Sequence, residues 1–152
     1  MIHAHSFLRW VVLILALLTI IKSFSGMSSK KAFTAADKKM PLFFMISMDI
    51  QLLLGLVLYF TGAWGIKNIQ NQGMGEVMKD AAGRFFAIEH TVGMLLAIIF
   101  AHVAYAFAKK NIDDTAKFKK IFTFTLLSLL AILVSIPWPF RELIGRPLFP
   151  GM

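Results

Sequence analysis

The chain has 152 residues, of which 58% are hydrophobic and 16% charged, with a formal charge of +8 and no cysteine. That apolar fraction lies above the range of soluble domains, and the lack of cysteine excludes disulfides, thiol redox chemistry and thiolate metal ligation. The basic residues fall in short segments between apolar runs rather than along one face, so the charge reads as an orientation signal and no nucleic-acid role is expected.

Four apolar runs follow one another: Phe7 to Phe24, Leu42 to Trp64, Phe85 to Phe107 and Ile121 to Trp138. Each is close to the ~20 residues that a helix needs to cross ~30 Å of hydrocarbon. The expected fold is all-α: one integral membrane four-helix bundle over 1–152, with spans at about 5–25, 42–64, 84–108 and 120–138. No small-residue cleavage site follows the first run, so the first span is expected to stay in the mature protein.

The first span opens on His5, and Arg9 lies one turn further in on the same face. His3 precedes it as a terminal residue. Lys30, Lys31, Lys38 and Lys39 follow in the first loop, and Lys109, Lys110, Lys117, Lys119 and Lys120 in the third. The second loop carries Lys67, Lys79 and Arg84 offset by Glu76 and Asp80. By the positive-inside rule the two lysine-rich loops face the cytoplasm, and both termini lie on the non-cytoplasmic side. Trp10, Trp64 and Trp138 then all fall at the non-cytoplasmic ends of their spans, where tryptophan favours the headgroup level. The expected location is the bacterial inner membrane, with the lipid bilayer as the first partner.

Span two offers Gln51, Gly55 and Tyr59, span three His90, Gly93, Ala97 and Ala101, and span four Thr125, Ser128, Ala131 and Ser135. These recur at helical spacing and are first of all packing residues, since small side chains let membrane helices approach closely. Pro137, Pro139 and Pro147 end span four and stiffen the tail.

Ionisable side chains inside a span are costly and tend to mark functional sites. Glu89-His90 sits inside span three, with His90 roughly 8 Å deep from the non-cytoplasmic side. His5, Arg9, Arg84, Glu89 and His90 are expected to converge near that surface. Two imidazoles on two helices can hold a haem iron from opposite faces. Arg9 and Arg84 would then suit the propionates, because a guanidinium fork pairs well with carboxylates. Glu89 points about 100° away from His90 and is expected to pair with an arginine rather than to ligate. Asp49 in span two and His102 in span three lie at nearly equal depth near the other side, where a carboxylate–histidine hydrogen bond would relieve the burial of both. That intramembrane pair reads either as structural or as a proton-relay element. His90 and His102 are twelve residues apart, about 120° and ~18 Å, so they cannot share a site. No residue is assigned a catalytic role, since no phosphate loop, zinc-protease motif or nucleophile elbow appears.

The pieces His5-Ser6-Phe7-Leu8-Arg9-Trp10, Gln51 to Tyr59, Arg84-Phe85 with Glu89-His90, and Ser135-Ile136-Pro137-Trp138-Pro139-Phe140 resemble a family of small four-span bacterial membrane proteins. Its members occur mainly in Bacteroidota and carry the label cytochrome b-like. The resemblance implies a respiratory or electron-transfer role with haem b, its ligands at His5 and His90. The chain departs from two-haem b cytochromes in lacking a second histidine pair. Three readings follow: an electron-transfer protein with at most one bis-histidine haem, exchanging electrons with a quinol or a larger respiratory complex; a cofactor-free accessory subunit of a larger membrane complex; and a small proton-coupled transporter working through Asp49 and His102, for which a homo-oligomer would be needed.

Overall fold

The computed structural model describes residues 1–149. Four segments are long and apolar enough to cross a membrane: Ile2–Ser28, Lys39–Gln72, Ala81–Lys109 and Asp114–Ser135. Within them run α1 (Ile2–Ser28), α2 (Lys39–Thr61), α3 (Ile66–Gln72), α4 (Met74–Lys79), α5 (Ala81–Arg84), a π-helical turn at Phe85–Glu89, α6 (His90–Lys109) and α7 (Asp114–Ser135). The described residues are helix and connecting turns, with no strand.

Local chemistry explains where the long helices start and stop. Asp113 caps α7, its carboxylate accepting from the Ala116 N–H at 3.0 Å, which satisfies one of the N–H groups left open at a helix start. Lys30 turns the chain out of α1 with φ 51°. The stretch between α2 and α6, expected as a loop, folds into three short helices, and Gly73, at φ 82°, makes the bend from α3 to α4. Asp80 then caps α5 through the Gly83 N–H.

Helix α7 ends at Ser135, three residues before Trp138, where the sequence pattern carried the span. Pro137 and Pro139 are the cause. A proline has no N–H, so the carbonyls four residues earlier, on Leu133 and Ser135, have no helical donor. Trp138 Nε1 donates to the Leu133 carbonyl at 2.8 Å.

The four long helices close into a ring, α1 against α2 and α7, and α6 against α2 and α7, with α6–α7 the most extensive seam. The core is filled by Val12, Ala16, Phe44, Met48, Ala97, Ala101 and Ile132, each no more than 2% exposed. Alanines on α6 let α7 approach, and Ser128 Oγ donates across the seam to the Ala97 carbonyl at 2.7 Å. Thr19 and Ser47 return their hydroxyls to Leu15 and Phe44 of their own helices. These three hydroxyls are satisfied inside, while Ile14, Leu53, Leu95, Ile99, Leu130 and Val134 lie on the outer surface. An apolar coat over a small-residue interior is the architecture of a multi-pass membrane protein.

The start of α1 and the tail as far as Phe149 lie at one end of the bundle, where Trp10 stacks on Phe149 at 5.7 Å and Arg9 donates to the Leu148 carbonyl. The two ends differ in character. At the end holding the start of α1, arginines sit over aromatic rings: Arg141 over Phe85 (4.9 Å) and Arg146 over Trp64 (5.2 Å) and Phe86 (4.8 Å). At the other, lysines do so: Lys109 over Tyr105 (4.7 Å), Lys110 over Phe107 (4.5 Å) and Lys117 over Phe33 (5.3 Å).

Candidate functional site

His5 is held in the first turns of α1, its N–H donating to the Met1 carbonyl at 3.0 Å. Gln51 on α2 donates to the His5 carbonyl at 3.0 Å. Gly55, one turn further along α2, leaves room for the imidazole: a Cβ there would stand 3.4 Å from His5 Cε1. Gln51 and Gly55, expected as packing residues of span two, thus lie against His5 of α1.

His90 follows directly on the π-helical turn, a widened turn that interrupts the regular α register and is frequent at functional sites. Its Nδ1–H donates to the Ser135 carbonyl at 2.7 Å. That carbonyl is the one Pro139 leaves without a helical donor. The bond fixes the tautomer, with the proton on Nδ1 and a bare lone pair on Nε2, which is the arrangement that metal-binding histidines use. Gly93 brings the two helices close enough for it, since a side chain there would run into Ser135.

The His5 and His90 rings meet, with centroids 6.3 Å apart and planes inclined at 64°. Phe85 borders His90 at 6.0 Å. Two imidazoles holding one metal ion from opposite sides, each with a metal–nitrogen bond of about 2 Å, place their centroids about 6 Å apart. The same end collects buried polar atoms without a partner among the described residues: His5 Nδ1, Arg9 Nε, Trp10 Nε1 and Gln51 Oε1. Such atoms are costly unless something polar meets them. No group of three or more His, Asp or Glu able to hold a metal ion occurs among the described residues. A two-imidazole site suits a metal that brings its own equatorial ligands, as haem iron does.

The other expected members are placed as follows. Arg9 lies beside Trp10, its guanidinium 5.5 Å from the ring centre. Arg84 is engaged elsewhere: Nε donates to Glu89 at 2.7 Å and a terminal nitrogen to the Met78 carbonyl at 3.0 Å. Glu89 therefore pairs with an arginine, as its direction on the helix indicated. His3 lies exposed in the first turn of α1. Tyr59 packs edge-on against Phe60 at 5.5 Å.

Two clefts adjoin the His90 end. One, of about 420 Å³, is lined by Arg84, Glu89, Arg141, Glu142 and Ile144 among others. The second, of about 380 Å³, runs between α6 and α7 past Gly93, Leu96, Leu130, Ala131 and Ser135. They share Glu89 and Arg141, so a charged rim opens onto an apolar slot. Arg141 was not among the expected site residues. The one sequence signal bearing on the His90–Ser135 bond is indirect: Pro139, four residues after Ser135.

Asp49 and His102 do pair, Oδ1 to Nε2 at 2.8 Å. Their side chains are 41% and 48% exposed. The pair lies on the outside of the α2–α6 seam, so it is not buried in the bundle as expected. Helix rotation decides this: α6 turns Ala97, Ala101 and Ala104 inward and α2 turns Phe44, Ser47, Met48 and Gln51 inward. Asp49 and His102 are left at the outer edge.

Neither protein-family models, nor curated proteins, nor solved structures contain a match to this chain.

Proposed function

We propose that this chain is a b-type cytochrome-like electron-transfer protein of the bacterial inner membrane, with one haem held by His5 and His90. The observation that carries this reading is the meeting of those two imidazoles at one end of the bundle, His90 with its proton held away from Nε2 by the Ser135 carbonyl. When bound, haem would supply a one-electron couple. The chain's part is to orient and to enclose. Ser135 holds the Nδ1 proton of His90 and so turns Nε2 to the ligand position. Gly55 keeps the flank of His5 open, and Gln51 ties the backbone of His5 to α2. Arg9 is the arginine at this level for a carboxylate, because Arg84 is spent on Glu89. The cleft running from Arg141 and Glu89 to Leu96 and Leu130 suits a quinol, with a polar head and an apolar tail. The lysine end would face the cytoplasm and both termini the other side.

The test is one spectrum. Protein purified in detergent with haem supplied is expected to show a Soret band that shifts on reduction, and His90→Ala to remove it. A wild-type sample without that band overturns the reading. The accessory-subunit reading is favoured by the outward-facing Asp49–His102 pair, and copurification of a stoichiometric larger partner with no cofactor would establish it. In a single bundle that pair lies outside any internal path, so a proton-coupled transporter would have to form its path between chains.

A further inference from the structure

Asp49 lies ten residues from the start of α2 at Lys39, and His102 seven from the end of α6 at Lys109. At about 1.5 Å per residue both sit some ~10–15 Å below the lysine end, within the apolar layer. They face outward, with side chains nearly half exposed. Around them the surface is apolar: Ile46, Ile50 and Leu53 on α2, Leu95 and Ile99 on α6, all at least 41% exposed. Ionisable side chains at such depth almost always face a bundle interior or water. This pair faces neither within one chain, so its surroundings must come from outside the chain.

We infer that the α2–α6 face is a homodimer interface, in which the Asp49–His102 pair of one chain meets the same pair of a second copy. The hydrogen-bonding inventory names the occupant. A net charge is costly within an apolar layer, and without one the pair is either carboxylate with imidazolium or carboxylic acid with neutral imidazole. In both, the Oδ1–Nε2 bond uses one proton, and the pair still presents one N–H donor, on Nδ1, and one free acceptor, Oδ2. One donor and one acceptor side by side are complementary to themselves. A two-fold axis along the membrane normal keeps the copies at the same depth, and it brings each Nδ1–H to the other chain's Oδ2. This is the isologous contact that symmetric dimers use. The flanking leucines and isoleucines then pack against their own copies and exclude lipid from the four polar side chains. The inference is independent of haem, since His5 and His90 lie toward the opposite end of the bundle.

The chain has no cysteine, so single-cysteine variants report on one face each. In membranes holding the full chain, a membrane-permeant bis-maleimide is expected to link Leu53→Cys and Ile99→Cys into covalent dimers. Leu17→Cys, on the outer face of α1, should give roughly tenfold less. Adding Asp49→Leu with His102→Leu should lower dimer yield roughly tenfold, the effect expected for two interhelical hydrogen bonds in lipid. The exchange Asp49→His with His102→Asp keeps one donor and one acceptor and should restore it, which separates lost pairing from lost folding. Equal linking from both faces, a yield indifferent to the double leucine variant, failure of the exchange to restore it, or capture of a different protein at Leu53 in place of a second copy would each overturn the inference.

Discussion

His90 and His102 stand on one helix, twelve residues apart, and the bundle treats them in opposite ways. His90 points into the ring of helices, where a backbone carbonyl takes its Nδ1 proton and His5 stands 6.3 Å away. His102 points out, against a carboxylate at 2.8 Å. The difference lies in the partner. A carbonyl can only accept, so it holds the Nδ1 proton in place and leaves the second nitrogen turned to a ligand. A carboxylate can share a proton, so it makes a polar unit that is satisfied on one side and still needs company on the other. The largest contrast follows directly. His90→Ala should abolish a haem Soret band completely, while His102→Ala should leave its position and intensity unchanged. Equal loss in both variants would erase the distinction between the two histidines.

A steric probe sharpens the same contrast. Gly55 lies under the His5 ring, whereas a side chain at Gly75 meets nothing within 4 Å. Forcing extra methylenes into a packed site costs about 1–3 kcal/mol, and about 1.4 kcal/mol is tenfold in occupancy. Gly55→Leu should therefore lower the haem-to-protein ratio by roughly tenfold, measured by pyridine haemochrome assay. Gly75→Leu should not change it. An undiminished ratio in Gly55→Leu would place the cofactor away from His5.

How far these two sites could be read beforehand differs for physical reasons. The four spans are legible because hydrocarbon thickness sets helix length directly, and helical rise then gives depth. Depth alone predicted both meetings, His5 with His90 and Asp49 with His102. Rotation about the helix axis was less accessible. The Ala97–Ala101 stripe indicated the inner face of α6, yet whether Asp49 and His102 fall inside or at the edge depends on how closely α2 packs beside it. The π-helical turn at Phe85–Glu89 also leaves no periodic signal, because it displaces the register just before His90. The carbonyl of Ser135 was hidden for another reason. Hydropathy marks Pro137 and Pro139 as helix stops, but the consequence lies four residues upstream, in a backbone acceptor left open to His90. The short helices between α2 and α6 carry too few apolar residues for their periodicity to show.

The seam that positions His90 offers a smaller test. Ser128 Oγ donates to the Ala97 carbonyl, and neither residue touches either histidine pair. Interhelical hydrogen bonds in membranes contribute about 0.6–1.7 kcal/mol. Ser128→Ala is expected to lower unfolding stability in detergent by that amount and to leave the Soret band where it was. A shifted band would mean that α6 and α7 slide together and that His90 is tuned from a distance.

A third polar cluster, outside the spans, provides the smallest effect and the clearest dependence on pH. In the turn between α1 and α2, Asp37 accepts from Lys31 Nζ at 2.8 Å, and from the Thr34 N–H at 3.0 Å and hydroxyl at 2.6 Å. Burial pushes the Asp37 carboxyl up, but the hydrogen bonds from Lys31 and Thr34 outweigh it and hold the group below its ordinary value. A carboxylate depressed on folding stabilises the folded state above the ordinary carboxylate range, and that contribution is lost as pH falls through the folded value. Stability in detergent should therefore decline on the acid side of about pH 4. In Asp37→Asn the contribution should be absent at neutral pH, about 1 kcal/mol with one exposed lysine as partner, and the acid decline correspondingly shallower. Asp49 lies beside an imidazole in the apolar layer, Asp37 beside a lysine in the aqueous turn. If Asp37→Asn left the acid limb of the stability curve unchanged, that limb would belong to another carboxylate, and Asp49 on the outer seam would be the next to substitute.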